Sequence, residues 1–196
     1  MTSPFLSTRE AQAPADLIAR AQTFGAPRVA IARAGSPLPM EAAEDATKAG
    51  IMVPVFVGEA DMIRAEAAKL DWDISGYALH DTTGEEEAGK TAAALCGAGE
   101  ADVLMKGQLH TDVFMKSAVS RDAGLRTGQR FVHIFHISHP DGGKPILISD
   151  AAVNVAPDLK TRQSSICLLY TSDAADDVST VLMSGVGGGV EGGGGG

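Results

Sequence analysis

Two short runs, RVAIA (28–32) and VPVFVG (53–58), are apolar at almost every position and rich in β-branched residues, as suits strands buried on both faces of a parallel sheet. Around them the period changes to that of a helix. From Pro14 to Phe24 the apolar positions Leu17, Ile18, Ala21 and Phe24 recur at helical spacing, and Gly25 with Pro27 closes the element. LPMEAAEDATKAG (38–50) predicts a second helix, with Pro39 near its first turn and Gly50 as its stop. Ile63, Ala67 and Leu70 mark one face of a third. YALHD (77–81) reads as an edge strand, Thr83 and Glu86 sit at capping-box spacing before a fourth helix, and DVLMKG (102–107) returns to a strand.

Strand and helix in alternation indicate βαβ units, so the expected class is α/β: a three-layer arrangement of a mostly parallel sheet with flanking helices. After Gly128 the rhythm differs. RFVHIFHISHP (130–140) and KPILISDAA (144–152) are strand-like runs separated by DGG, which predicts an antiparallel hairpin starting a second subdomain. A helix then begins at Pro157 or Asp158. The expected organisation is an N-terminal linker (1–13), an α/β domain (14–130), and a truncated second subdomain (131–166).

The last segment, 167–196, reads CLLYTSDAADDVSTVLMSGVGGGVEGGGGG. Its opening resembles the conceptual translation of a transposon-based sequencing-library adapter, and its glycine run resembles translated low-quality base calls, so a non-native tail is expected after Ile166. Composition alone would also permit a natural glycine-rich linker or disordered terminus, but such a segment has no need for so particular a ten-residue string.

Charge narrows the partners. A net charge of −9 repels nucleic acid and anionic membrane surfaces, so neither is an expected partner, and an anionic ligand needs a local basic site. The two cysteines, Cys96 and Cys167, form neither a disulfide framework nor a zinc motif. The N-terminal segment lacks the basic start and apolar core of a signal peptide, and no apolar run reaches bilayer-spanning length; a cytoplasmic location is the expectation.

Against that background, residues 106–130 carry five cations (Lys106, Lys116, Arg121, Arg126, Arg130) and two carboxylates (Asp112, Asp122), a local charge of +3. Ligands of open α/β sheets bind outside the carboxyl ends of the strands, where turn N–H groups and helix N-termini point outward. Lys106-Gly107 occupies such a turn. Gly107 permits close approach or positive φ, Thr111 can cap the following helix, and Lys106 and Lys116 add full charges to the helix end. The cluster reads either as an anion site, most simply for phosphate, or as a solvated face with ordinary ion pairs. His110 is read either as a ligand contact or as a capping group. Asp150 and Asn154, after a buried strand, reach a cleft or make an Asx-type turn with a helix cap at Asp158. His133, His136 and His139 do not suit one metal: on a strand the first two face opposite sides, and His133 and His139 stand about 20 Å apart.

Taken together, ADVLMKGQLHTDVFMKSAVSRDAGLRTGQRFVHIFHISHP and KPILISDAAVNVAPDLKTR, with RVAIARAGSPLPMEAAEDATKAGIMVPVFVGE upstream, resemble the phosphate acetyltransferase and phosphate butyryltransferase family over most of residues 14–166. The resemblance implies reversible acyl transfer between coenzyme A and inorganic phosphate, both as substrates, in a cleft between two α/β domains. It implies no metal or prosthetic group, and a homodimer at full length. It carries over Lys106, Gly107, His110, Thr111 and Lys116, with Arg126 and Arg130 as further basic candidates. The family's Ser-Arg pair and nearby Asp, implicated in thiol activation, lie in a C-terminal half that has no counterpart here, so the catalytic base is unassigned. On this reading the chain is a fragment, expected to be inactive and prone to aggregate. The alternatives are a non-catalytic phosphate-binding or regulatory module, or a related acyltransferase or metal-dependent dehydrogenase of similar cleft architecture.

Overall fold

The computed structural model describes residues 13–127, 131–138, 145–149, 154, 157–171 and 180–183. They fall into two compact units, Ala13–Arg126 and a second whose described residues lie from Thr127 onward. No helix among the described residues is long and apolar enough to cross a membrane.

The first unit runs α1 (Ala15–Gln22), β1 (Arg28–Ala32), α2 (Pro37–Lys48), β2 (Val53–Gly58), α3 (Ala60–Lys69), β3 (Ala78–Asp81), α4 (Gly84–Gly97), β4 (Val103–Lys106) and α5 (Thr111–Ala118). Its four strands are all parallel, in the order β3-β2-β1-β4. Alternation along the buried strands sorts the core into two layers. Val29, Ile31 and Phe56 face α2 and α3 with Met40, Ala43, Ile63 and Ala67. Ala30, Ala32, Val55 and Val57 face α4 with Ala88, Ala92 and Leu95. The sequence-derived three-layer α/β class is therefore observed.

Local chemistry sets the boundaries. Helix α2 starts at Pro37, one residue before the sequence reading, and Gly50 at φ 72° lets the Gly50 and Ile51 N–H groups return to Thr47 and Ala46, a double closure that needs a left-handed residue. The capping box predicted between Thr83 and Glu86 is made differently. The Thr83 N–H donates to Glu87 Oε2 at 2.9 Å, while Glu86 pairs with Lys90.

Strands β1 and β4 are neighbours separated by more than seventy positions of chain, and both ends of their seam are pinned. At the amino end the Arg28 guanidinium donates to both Asp102 oxygens and to the Gly99 carbonyl, and the Arg28 backbone N–H adds a third bond to Asp102. At the carboxyl end the Gly107 and Gln108 N–H groups donate to the Ala32 and Arg33 carbonyls, each at 2.9 Å.

In the second unit β5 (Ile134–Ile137) pairs antiparallel with β6 (Ile146–Ser149), Ile134 opposite Ser149. This is the expected hairpin with shorter strands; its DGG turn and His139 lie outside the described residues. The helix cap expected at Asp158 is present, its Oδ1 accepting from the Thr161 N–H at 2.7 Å and hydroxyl at 2.6 Å. Helix α6 (Leu159–Thr171) continues past Ile166, and β7 (Thr180–Met183) lies parallel to β6.

Two packing predictions follow from the first unit. Phe56 is fully buried and meets Trp72 edge-on at a centroid distance of 5.6 Å. Phe56→Ala is expected to cost about 3–5 kcal/mol, read in urea through the fluorescence of Trp72, the single tryptophan. Gly107→Ala would set a Cβ 2.5 Å from the Ala32 and Arg33 carbonyl oxygens. Because those are backbone atoms at the end of buried β1 and in the residue just after it, which can yield little, a loss of about 1–3 kcal/mol is expected, as a lower urea midpoint at unchanged slope.

Candidate functional site

The chain passes from β1 to β2 and β3 on one side, then crosses back to place β4 on the other side of β1. The carboxyl ends of β1 and β4 thus diverge into connections on opposite sides, the crevice where open α/β sheets bind ligands. Residues following three of the strands supply its charge: Arg33 after β1, Glu59 after β2, and Lys106 with His110 around the turn after β4.

The turn itself differs from a backbone anion cradle. The N–H groups of Gly107, Gln108, Leu109 and His110 are all consumed, by the carbonyls of Ala32, Arg33 and Gly107 and by Glu85 Oε2. Gly107 does not adopt positive φ, and the space a Cβ would fill belongs to the β1 backbone rather than to a ligand. What remains for an anion is the amino end of α5, which has no side-chain cap, with the exposed Lys106 and His110 side chains beside it. Thr111 is the first helical residue and His110 occupies the N-cap position, so the cap expected of Thr111 is not formed.

His110 is held by a carboxylate. Glu85 Oε2 lies 2.7 Å from His110 Nδ1 and 3.0 Å from the His110 backbone nitrogen. The other oxygen, Oε1, accepts from Arg33 Nη1 at 3.1 Å. Arg33 also donates to the Gln108 carbonyl at 3.3 Å and, through Nη2, to Glu59 Oε1 at 3.4 Å. Glu59 Oε1 takes in addition the Gly84 N–H at 3.1 Å, while Glu59 Oε2 is buried without a partner among the described residues. Arg33 itself sits at φ 57°, a left-handed conformation that non-glycine residues seldom adopt.

These contacts move the titrations in opposite directions. The hydrogen bond that His110 donates to Glu85, then the charge of that carboxylate, raises the His110 pKa above its ordinary 6.5, with burial and Lys106 opposing. The two bonds from His110 hold the Glu85 carboxyl below its usual range. Burial disfavours charge on Glu59, yet backbone N–H donors and Arg33 outweigh it and lower that carboxyl as well.

The remaining sequence candidates are dispersed. Lys116 lies in the last turn of α5, where its charge complements the carbonyl end of the helix instead of its amino end. There it lines a groove of about 350 Å³ between α4 and α5 with Glu86, Lys90, Asp112 and Asp122. Arg126 is exposed, three residues beyond Ala123, whose carbonyl lies against Gly97 at the far end of α4. Asn154, in the second unit, donates to the Phe131 carbonyl at 3.1 Å. Arg130 and Asp150 lie outside the described residues. Sequence reasoning passed over Arg33, Glu59 and Glu85. The available signal was position: the first two stand immediately beyond RVAIA and VPVFVG, and Glu85 opens a helix, where acidic residues are ordinarily read as dipole partners.

No protein-family model matches the chain. Among curated proteins it is 30% identical over 151 residues to the phosphate butyryltransferase of Clostridium beijerinckii, covering 77% of this chain and 50% of that protein. It is 30% identical over 175 residues to the phosphate acetyltransferase of Rickettsia felis, covering 87% of this chain and 50% of that one. A crystal structure of a phosphotransacetylase from Streptococcus pyogenes superposes with a TM-score of 0.61 at 13% identity, over 74% of this chain and 54% of that chain, a likeness of fold. The chain spans about half the length of the curated relatives it matches. By sequence and by fold the chain is thus similar to about half of a phosphate acetyltransferase or phosphate butyryltransferase.

Proposed function

We propose that this chain supplies the phosphate-binding part of an acyltransferase that moves an acyl group reversibly between coenzyme A and inorganic phosphate. In the forward direction a phosphate oxygen attacks the thioester carbonyl, the carbon–sulfur bond breaks, and acyl phosphate and the coenzyme A thiolate result. The reaction runs in the cytoplasm on small molecules, with neither metal nor prosthetic group, and the full-length protein is a homodimer. One observation supports this reading most directly: Lys106 and the carboxylate-held His110 flank the uncapped amino end of α5 at the sheet's switch point, in a segment shared with phosphate acyltransferases.

The physical requirement is to hold a phosphate dianion while its oxygen attacks. Lys106 contributes a full charge and a donor, the first N–H groups of α5 contribute oriented partial charges, and protonated His110 contributes a second cation. Arg33 contributes no net attraction, because Glu59 and Glu85 already neutralise it. Thiol activation needs a base, since a free thiol is mostly protonated at neutral pH; that role is assigned to no residue of this chain.

Titration with inorganic phosphate, followed by amide shifts of residues 106–113, tests the reading. Lys106→Met is expected to weaken binding about tenfold or more, the loss of one charge-assisted contact. Lys116→Met, about 7.5 Å along the helix from Thr111 at its amino end, is expected to change it less than about twofold. Equal effects from the two substitutions, or full affinity in Lys106→Met, would remove the phosphate site from this turn.

The Glu85–His110 pair also predicts a pH window for stability. His110 titrates above 6.5 in the fold, so its contribution is complete below that value and is lost as pH rises through the higher folded value. Glu85 titrates below 4.5 in the fold, so its contribution is complete above that value and is lost as pH falls through the lower one. The difference in urea midpoint between the wild type and His110→Gln is therefore expected to be greatest between pH 4.5 and 6.5. A difference that keeps growing toward pH 9 would contradict the pairing.

A further inference from the structure

Arg33 is an unusual residue for its position. A left-handed backbone at a non-glycine residue is a strained arrangement that persists only where the surroundings determine it, and it tends to mark functional sites. Here the strained residue is tied into the site from both its main chain and its side chain. Its carbonyl accepts the Gln108 N–H at 2.9 Å. Its guanidinium forks onto Glu85 Oε1 at 3.1 Å, Glu59 Oε1 at 3.4 Å and the Gln108 carbonyl at 3.3 Å. Glu85 is thereby fixed by one oxygen and uses the other for both His110 nitrogens, ring Nδ1 and backbone.

We propose that Arg33 is a positioning residue: acting through Glu85, it locks the His110 ring with Nδ1 engaged as a donor, which leaves Nε2 as the nitrogen that meets an anionic ligand at the amino end of α5. The inference rests on the phosphate-site reading for its ligand, but its geometry stands independently.

A planar guanidinium is needed because three acceptors at different directions must be served at once, which a single ammonium does less well. Charge points the same way. Two carboxylates share one guanidinium, so the Arg33, Glu59, Glu85 and His110 group is neutral overall only when His110 is protonated. The groups facing His110 are Glu85 from α4, Lys106 from β4 and Asp112 from α5, with Arg33 and Glu59 acting at one remove. An arriving anion therefore favours the imidazolium, whose Nε2–H has no partner among the described residues.

The tautomer of neutral His110 tests the proposal directly. In the intact chain at a pH high enough to deprotonate the ring, long-range ¹⁵N–¹H correlation spectra are expected to show the Nδ1–H form, the reverse of the Nε2–H form preferred by free histidine. Arg33→Met and Glu85→Ala are each expected to lower the ratio of Nδ1–H to Nε2–H at least threefold, and Arg33→Lys to restore part of it, while the Trp72 indole resonance stays unchanged as a measure of intact packing. Should Arg33→Met fail to fold, Arg33→Lys and Glu85→Ala report on the same ratio. A wild type in the Nε2–H form, or a ratio unmoved by these substitutions, overturns the positioning role. Phosphate separates the two readings. A locked Nδ1–H tautomer with no phosphate-induced shifts at residues 106–113 upholds Arg33's role and removes the phosphate site. Phosphate binding with an unlocked ring does the opposite.

Discussion

The seam between β1 and β4 is the constraint on which the site depends. Two parallel strands distant in sequence have no turn to fix their register, so each end must be held by specific contacts. Arg28 and Asp102 hold the amino end with bonds between 2.8 and 3.1 Å. The carboxyl end is held by a backbone approach so close that position 107 has no room for a Cβ. Registering β4 against β1 is what brings Gln108 beside Arg33 and His110 beside Glu85. A slip of one residue would turn Lys106 to the other face of the sheet and take His110 from Glu85.

That dependence explains why the turn's own N–H groups are spent. Groups that lock two strands together cannot also face a ligand, and an anion site at this location must be built from side chains and from the next helix. Lys106 and His110 meet that need because they flank the locked segment. Glu85, in binding His110, removes one negative charge from the site only to the extent that the imidazole carries its proton. Electrostatics here are therefore coupled: the pair that fixes the ring also sets the pH range over which the ring carries charge.

Much of the fold was legible in the sequence because burial on both faces leaves a plain mark. RVAIA and VPVFVG have no solvent side, and helices between them must cover the sheet, so class and strand positions follow from composition within windows of five or six residues. The hairpin of the second unit was legible for a related reason, two β-rich runs around a turn signal. The site was less so. Lys106, Gly107 and His110 were found from their place after a strand, but spacing could not tell that Lys116 sits at the opposite end of α5, nor that Gly107 serves the β1 backbone. Arg33, Glu59 and Glu85 were missed because their significance lies in contacts spanning 25 to 75 positions, which no local period reports. The capping box erred by one residue, Glu87 for Glu86, since both side chains can reach back to Thr83 from the first helical turns.

Core composition and site geometry are linked through α4. The layer between this helix and the sheet is made largely of small side chains, Ala30 and Ala32 from β1 and Ala88 and Ala92 from the helix. The contact with α5 is tight as well, since a Cβ at Gly89 would lie 2.7 Å from Ser117 Oγ. Small residues at a helix–sheet interface let the helix axis approach, and α4 begins one residue before Glu85. A glutamate side chain spans only a few bonds. It reaches both Arg33 after β1 and His110 after β4 because the helix that carries it lies close to both strand ends. Bulkier residues in that layer would still bury apolar surface and could even match its area, but they would lift the start of α4 and draw Glu85 away from two partners at once. The alanines thus do more than fill a core: by setting a helix-to-sheet distance, they set a carboxylate-to-imidazole distance.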